Sequence, residues 1–180
     1  MPHPSYLALR IFDHEPVRPS GAQLWKGGAT DLLTRTMIAD PPRWLLIAEH
    51  GPGEAPPMPE RPSLLWWELR QINPGDLPSP TTAGGVILVS MNVDSSREEE
   101  FNDWYDMEHI PHFNRLAGVI TARRFRAIEG NPRYVALYHV ESTDIYATPG
   151  WMAANETPWI LRMRRFQRDR TYFMFRQRIA

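Results

Sequence analysis

The order of elements in residues 86–180 leaves this chain few folds to choose from. VILVSMNVD (Val86–Asp94) is a β-branched apolar run that follows Gly84 and Gly85 directly, and it reads as a buried strand. Ser96 with Glu99 three residues on has the spacing of a capping box. Glu98, Glu99 and Glu100 suit the positive end of the helix expected over Arg97–Ile110. Pro111 has no backbone donor, so the regular helix should end or bend there. Val119–Ile128 and Arg133–Val140 flank the turn EGNP and are expected to form a hairpin. A helical or irregular stretch over Tyr146–Arg165 and a strand over Arg170–Ile179 complete a β-α-β-β-α-β order.

The first half echoes part of that order. Tyr6–Phe12 reads as a strand, Thr30–Ala39 as a short helix, and Arg43–Gly51 and Ser63–Ile72 as two further strands. The strand pair RWLLIAEHG…SLLWWELRQI parallels ITARRFRAIEG…RYVALYHVES, a weak internal repeat of elements rather than of residues. Gly51–Pro62 reads as a loop, and Asn73–Gly85 as a Pro/Gly-rich linker. The expected organisation is therefore a degenerate ferredoxin-like half at 1–72, a linker at 73–85 and a complete half at 86–180. The fold class is α+β, with two tandem units forming an α/β barrel.

Composition narrows the function. The 180 residues include no cysteine, which excludes a disulfide framework, a thiol nucleophile and thiolate metal sites. A net charge of −1 argues against a general attraction to nucleic acid or anionic membrane. That holds even though the C-terminal stretch interleaves arginines with Phe166, Tyr172, Phe173 and Phe175. No apolar run approaches the roughly 18 residues of a membrane span. The N-terminus lacks the pattern of a secretion signal, so a cytoplasmic setting is expected. The Gly pairs at 27–28 and 84–85 have no phosphate-loop spacing.

The chemistry concentrates in EEEFNDWYDMEHIPHFNRLAGV (Glu98–Val119). At helical spacing Phe101, Trp104, Tyr105, Glu108 and His109 share a stripe, and His112 extends it. An ordinary amphipathic helix would carry aliphatic residues where this one carries Tyr105, Glu108, His109 and His112. That pattern suits general acid–base work. His109 would transfer the proton, Asp106 or Glu108 would orient it, and Tyr105 would polarise a carbonyl or phenol. The order Glu-His-x-x-His lacks the i,i+4 histidine pair of a zinc helix, so no metal site is expected. Of the arginines on the Val119–Ile128 strand, Arg124 shares a face with Arg126, and Arg123 shares the other with Phe125. One of them could clamp a carboxylate. Tyr134, Ala136 and Tyr138 should face one way, and Val135, Leu137 and His139 the other. Of Trp66 and Trp67, adjacent on a strand, one should join the core.

The run VILVSMNVD…EEEFNDWYDMEHIPHFNRLAGVITARRFR…NPRYVALYHVES resembles the EthD-like branch of the dimeric α/β-barrel superfamily. The match covers about residues 85–180. It is carried by Trp104, Tyr105, Asp106, Glu108, His109 and Pro111 together, and TPGWMAANETPWILRM resembles the family's Pro-Trp second helix. His112 departs from the family, which often has an acidic residue there. The resemblance implies two four-stranded sheets closing a barrel, across a homodimer or within one chain as a pseudo-dimer. It also implies a site between one sheet and its helices. Trp104, His112, Arg124, Tyr138 and Trp159 are expected to contact a small hydrophobic, aromatic or polyketide-like substrate. The expected reaction is cofactor-independent dehydration, decarboxylation, cyclisation or isomerisation, of lyase or isomerase type. The alternatives are a cofactor-free or haem-dependent oxygenase, with His109, His112 or His139 as axial ligand, and a non-catalytic ligand-binding or assembly protein.

Overall fold

Apolar residues recur at every second position through most of the strands, and the eight strands use that alternation to close a barrel. The computed structural model describes residues 6–54 and 62–179; the rest of the predicted Gly51–Pro62 loop and the first five residues lie outside them. The strands are β1 (Tyr6–Phe12), β2 (Gln23–Asp31), β3 (Thr36–His50), β4 (Leu65–Asn73), β5 (Gly85–Val93), β6 (Val119–Gly130), β7 (Tyr134–Val140) and β8 (Gln167–Ile179). The barrel order is β1-β3-β2-β8-β5-β7-β6-β4, and every neighbouring pair is antiparallel. The barrel closes within one chain, through the seams β2–β8 and β4–β6.

The second half has the full ferredoxin-like complement. Between β5 and β6 lie α1 (Glu98–Trp104), a π turn (Tyr105–His109) and α2 (Ile110–Phe113). Between β7 and β8 lie α3 (Pro149–Ala154) and α4 (Pro158–Met163). The two Thr-Pro pairs split the predicted Tyr146–Arg165 stretch into these two short helices. Each Thr side chain caps its helix, Thr148 accepting from Trp151 N and Thr157 from Ile160 N, and each Pro sits in the first turn, where no donor is needed. The expected Ser96 capping box does not form. Ser95–Arg97 is a 3-10 turn, and α1 starts without a side-chain cap.

The first half has the same strand order, β4-β1-β3-β2, which matches β8-β5-β7-β6 position for position. It has no helix among the described residues, and this corrects the predicted helix at Thr30–Ala39. That segment is the end of β2, a turn and the start of β3. Asp31 shapes the turn by accepting from the backbone N–H groups of Leu33 and Thr34 at 2.8 and 3.1 Å. The counterpart of the β6–β7 hairpin is thus β2–β3, not the Arg43–Gly51 and Ser63–Ile72 pair aligned from sequence. β3 and β4 are both bonded to β1 instead of to each other.

Two glycines interrupt the apolar alternation of β2. A Cβ on Gly27 would lie 2.0 Å from Met174 O, and one on Gly28 would lie 1.8 Å from Ile38 O. Glycine here admits the backbones of β8 and β3, and the register shifts on both sides of the pair.

The barrel interior is one apolar core drawn from both halves, including Leu9, Trp25, Trp67, Leu88, Phe125 and Leu137. Trp67 Nε1 donates to Pro132 O at 2.8 Å, while Trp66 faces outward under the Arg10 guanidinium. A second core fills the space between the β8-β5-β7-β6 face and the helices. β7 is buried on both sides, so Tyr134, Ala136 and Tyr138 join this outer core and Val135 and Leu137 the barrel interior. No helix among the described residues is long and apolar enough to cross a membrane.

Candidate active site

Pro111 shapes the site before any functional group is considered. It cannot donate to the carbonyl four residues earlier, and its ring needs room against that turn. The helix widens ahead of it, and Ile110 N bonds to Tyr105 O, the i→i+5 spacing of a π turn. The disturbance therefore lies N-terminal to the proline, and the chain continues into α2. Wider spacing brings Trp104 and His109, five residues apart, to a ring separation of 4.5 Å. It also changes which residues face the sheet. Tyr105 and His109 are buried, while His112, expected to continue the stripe, is exposed.

These rings border a cavity of about 340 Å³ between the outer sheet face and the helices. Trp104, Tyr105, His109 and Tyr138, four of the residues singled out in the sequence, line it. Phe113 and Trp151 complete the aromatic wall, and Tyr146 and Tyr172 add hydroxyl groups. Leu32 and Arg35 also line it, so the β2–β3 turn of the first half reaches over a site built mainly by the second.

His109 sits in a cage of rings. Phe113 is 4.7 Å away, Tyr105 4.9 Å and Tyr138 6.3 Å, centroid to centroid. Its Nε2 is 2.8 Å from the Tyr138 hydroxyl. Its Nδ1 has no hydrogen bond to a described residue. Burial, assisted by the charges of Arg124, His112 and Arg164, pushes its pKa down to about 3, so the imidazole is neutral at physiological pH. Burial also pushes the Tyr105 and Tyr138 phenols upward, which keeps both as hydroxyl donors.

The carboxylates expected to orient His109 do other work. Glu108 Oε1 accepts from Trp104 Nε1 at 3.2 Å and from Thr157 Oγ1 at 2.5 Å, tying the π turn to the start of α4. Asp106 accepts from Asn73 Nδ2 at 3.0 Å and lies 3.8 Å from Arg124 Nη1. Tyr138, placed from β7, is the partner of His109 instead. Arg124 does not line the cavity. It is buried beneath Tyr105, 4.2 Å from that ring and 4.5 Å from Tyr134, and donates to Asn102 Oδ1 at 2.8 Å. Trp159 is half-buried on the outer core and is also absent from the lining.

Sequence reading missed Arg35, Tyr146, Trp151, Arg164, Arg170 and Tyr172, all on the cavity wall. The Thr148-Pro149 pair could have pointed to Trp151, which stands three residues past the cap. Nothing local announced Arg35, because its segment reads as a helix in isolation. No group of three or more His, Asp or Glu suited to a metal ion occurs among the described residues.

No family model matches the chain, and no curated protein matches it. Among solved structures, a candidate monooxygenase from Fusobacterium nucleatum is 9% identical, with a TM-score of 0.54, over 99% of this chain and 95% of that one. An uncharacterised ferredoxin-fold protein related to antibiotic-biosynthesis monooxygenases, from Listeria monocytogenes, is 12% identical over 88% and 96%, with a TM-score of 0.49. A monooxygenase-like protein from Listeria innocua is 12% identical over 86% and 93%, also at 0.49. The Fusobacterium likeness extends over nearly the whole of both chains, and it is a likeness of fold. The fold is the ferredoxin-like α/β barrel, which fits the strand order on its own terms.

Proposed function

We propose that the chain is a cofactor-independent enzyme of the EthD-like kind that moves a proton on a small aromatic or polyketide-like substrate. One observation carries this reading: a neutral His109 held in an aromatic cavity, with one ring nitrogen fixed by Tyr138 and the other without a hydrogen-bond partner among the described residues. A neutral imidazole has one acceptor nitrogen. If Nε2–H donates to the Tyr138 oxygen, Nδ1 is that acceptor. His109 then takes a proton from a carbon acid or phenol, and Tyr105 donates to the oxygen where negative charge develops. Dehydration, decarboxylation, cyclisation and isomerisation all begin or end with such a transfer.

Cofactor-free oxygenation is the second reading, favoured by the same aromatic surroundings of His109. Abstraction by His109 would leave an electron pair on the substrate for dioxygen to take. Haem suits the site poorly. His112 is exposed and His139 lies inside the barrel, while the Nε2 of His109 is taken by Tyr138 and its ring is hemmed in by Trp104, Tyr105 and Phe113.

Exchange of the α-hydrogens of 2-tetralone in D2O, followed by NMR, tests the proton transfer directly. The natural chain should accelerate exchange, and His109→Ala should lower that rate roughly 10²–10⁴-fold, the range for a lost acid or base. Equal rates in the two proteins would remove His109 from the chemistry. An oxygen electrode separates the second reading, because only oxygenation consumes dioxygen.

A further inference from the structure

Three arginines, Arg35, Arg164 and Arg170, line the cavity, yet no Asp or Glu among the described residues does. Arg164 follows α4 and donates to Asn155 O at 2.7 Å, which holds it against the end of α3. Arg170 lies on β8. Arg35 comes from the other half of the chain, on the β2–β3 turn, where its backbone takes a φ of 58°. A non-glycine residue rarely adopts that conformation, and the Asp31 hydrogen bonds fix the turn that imposes it.

None of the three has an acidic partner within ion-pair distance among the described residues. Their neighbours do. Arg162 pairs with Glu100, Arg168 with Asp94 and Arg176 with Asp144, at 2.7, 2.9 and 3.2 Å. Pairing thus occurs at three arginines of α4 and β8 that do not line the cavity. The charges of Arg35 and Arg164 both reach the Tyr146 phenol, where burial outweighs them and holds its pKa up at about 12. That hydroxyl is a further donor beside the arginines, and the neutral His109 supplies no countercharge.

We propose that the cavity takes an aromatic carboxylate, its ring among Trp104, Phe113 and Trp151 and its anionic group on Arg35, Arg164 and Arg170. This rests on the cavity being the substrate site, as argued above, and names the class of molecule it admits. Guanidinium forks bind carboxylates by paired, charge-assisted hydrogen bonds, and three cations without an acidic partner among the described residues favour an anion over its neutral isostere. The first half of the chain, which contributes no helix among the described residues, thereby contributes to specificity.

Binding of 2-naphthoate against 2-naphthamide, read by quenching of tryptophan fluorescence at Trp104 and Trp151, tests it. Naphthoate should bind at least roughly tenfold more tightly, with the advantage shrinking as salt rises. In Arg35→Gln/Arg164→Gln most of that advantage should be lost while naphthamide affinity holds. Equal affinity for the two probes in the natural chain overturns the anionic class and leaves an aromatic cavity standing. A preference that survives both substitutions undiminished overturns the arginine assignment. Binding of neither probe at millimolar concentration overturns this proposal and the substrate-site reading together. Arg35→Gln alone changes a turn residue without an ion pair, so it serves if the double variant fails to fold, and it should lose part of the advantage. A His109→Gln chain that binds naphthoate but exchanges no proton would separate binding from catalysis.

Discussion

Tyr138 and His139 are neighbours on β7 and serve opposite sides of the same sheet. Tyr138 points outward and holds His109 at the cavity. His139 points inward to the end of the barrel, where neither ring nitrogen has a hydrogen-bond partner among the described residues. Both histidines are buried, and both have pKa values pushed down to about 3 by desolvation, with arginines adding to it: Arg124 and Arg164 for His109, Arg123 and Arg178 for His139. A perturbed pKa alone therefore does not mark a working group. The two differ in surroundings. His109 faces an open volume with a fixed partner, whereas His139 shares its barrel end with Arg123, which is engaged by Leu77 O and Ser79 Oγ at 2.6 and 2.7 Å.

The largest expected effect separates the two by activity. His109→Ala should cost roughly 10²–10⁴ in the exchange rate, and His139→Leu less than about twofold. A comparable loss in His139→Leu would collapse the distinction, because that ring does not line the cavity. The next effect is on stability. Each histidine is neutral when folded and takes a proton near pH 6.5 when unfolded. Between that value and about 3 the unfolded state binds more protons, so stability is full above about 6.5 and falls as pH falls towards 3. Each group contributes a slope of about 1.4 kcal/mol per pH unit in that window. Urea melts of His139→Leu across pH 6.5 to 4 should be flatter than those of the natural chain by about that amount. At pH 7 the substitution should be neutral or stabilising, since it removes two unpaired buried nitrogens. An unchanged slope would mean that His139 titrates in the fold.

The second half was legible because its boundaries are written in residues that act locally: Gly85 before β5, Pro111 in the helix, EGNP between β6 and β7, Thr148-Pro149 before α3. The first half was not, because its deciding interactions are between distant strands. Gly27 and Gly28 make no local case for a strand; only the approach of Met174 and Ile38 explains them. The turn between β2 and β3 places Leu32, Leu33 and Met37 at spacings that imitate a helix, and strand pairing overrides them. Within the site, the stripe from Phe101 to His109 was readable. Its extension to His112 assumed 3.6 residues per turn, which the π turn does not keep. The sequence offered His109 a partner on its own helix, Asp106 or Glu108, whereas the hydrogen-bond partner comes from a different element, 29 residues along the chain.

The smallest effects test whether the carboxylates near His109 are structural. Glu108 bonds Trp104 and Thr157, and Thr157 also caps α4. Glu108→Gln keeps an acceptor and should cost about 0.5–1.5 kcal/mol of stability, the usual worth of a hydrogen bond, while exchange falls less than about threefold. Tyr138→Phe removes the direct partner of His109 and frees its ring to choose either tautomer. The loss in catalysis should be roughly 2–10-fold, beside a stability cost of about 1–3 kcal/mol for the buried ring nitrogen left unpaired. If Glu108→Gln proves the more damaging to exchange, the orienting role passes from Tyr138 back to the carboxylate that periodicity suggested, and the imidazole would have to move within its cage to reach it.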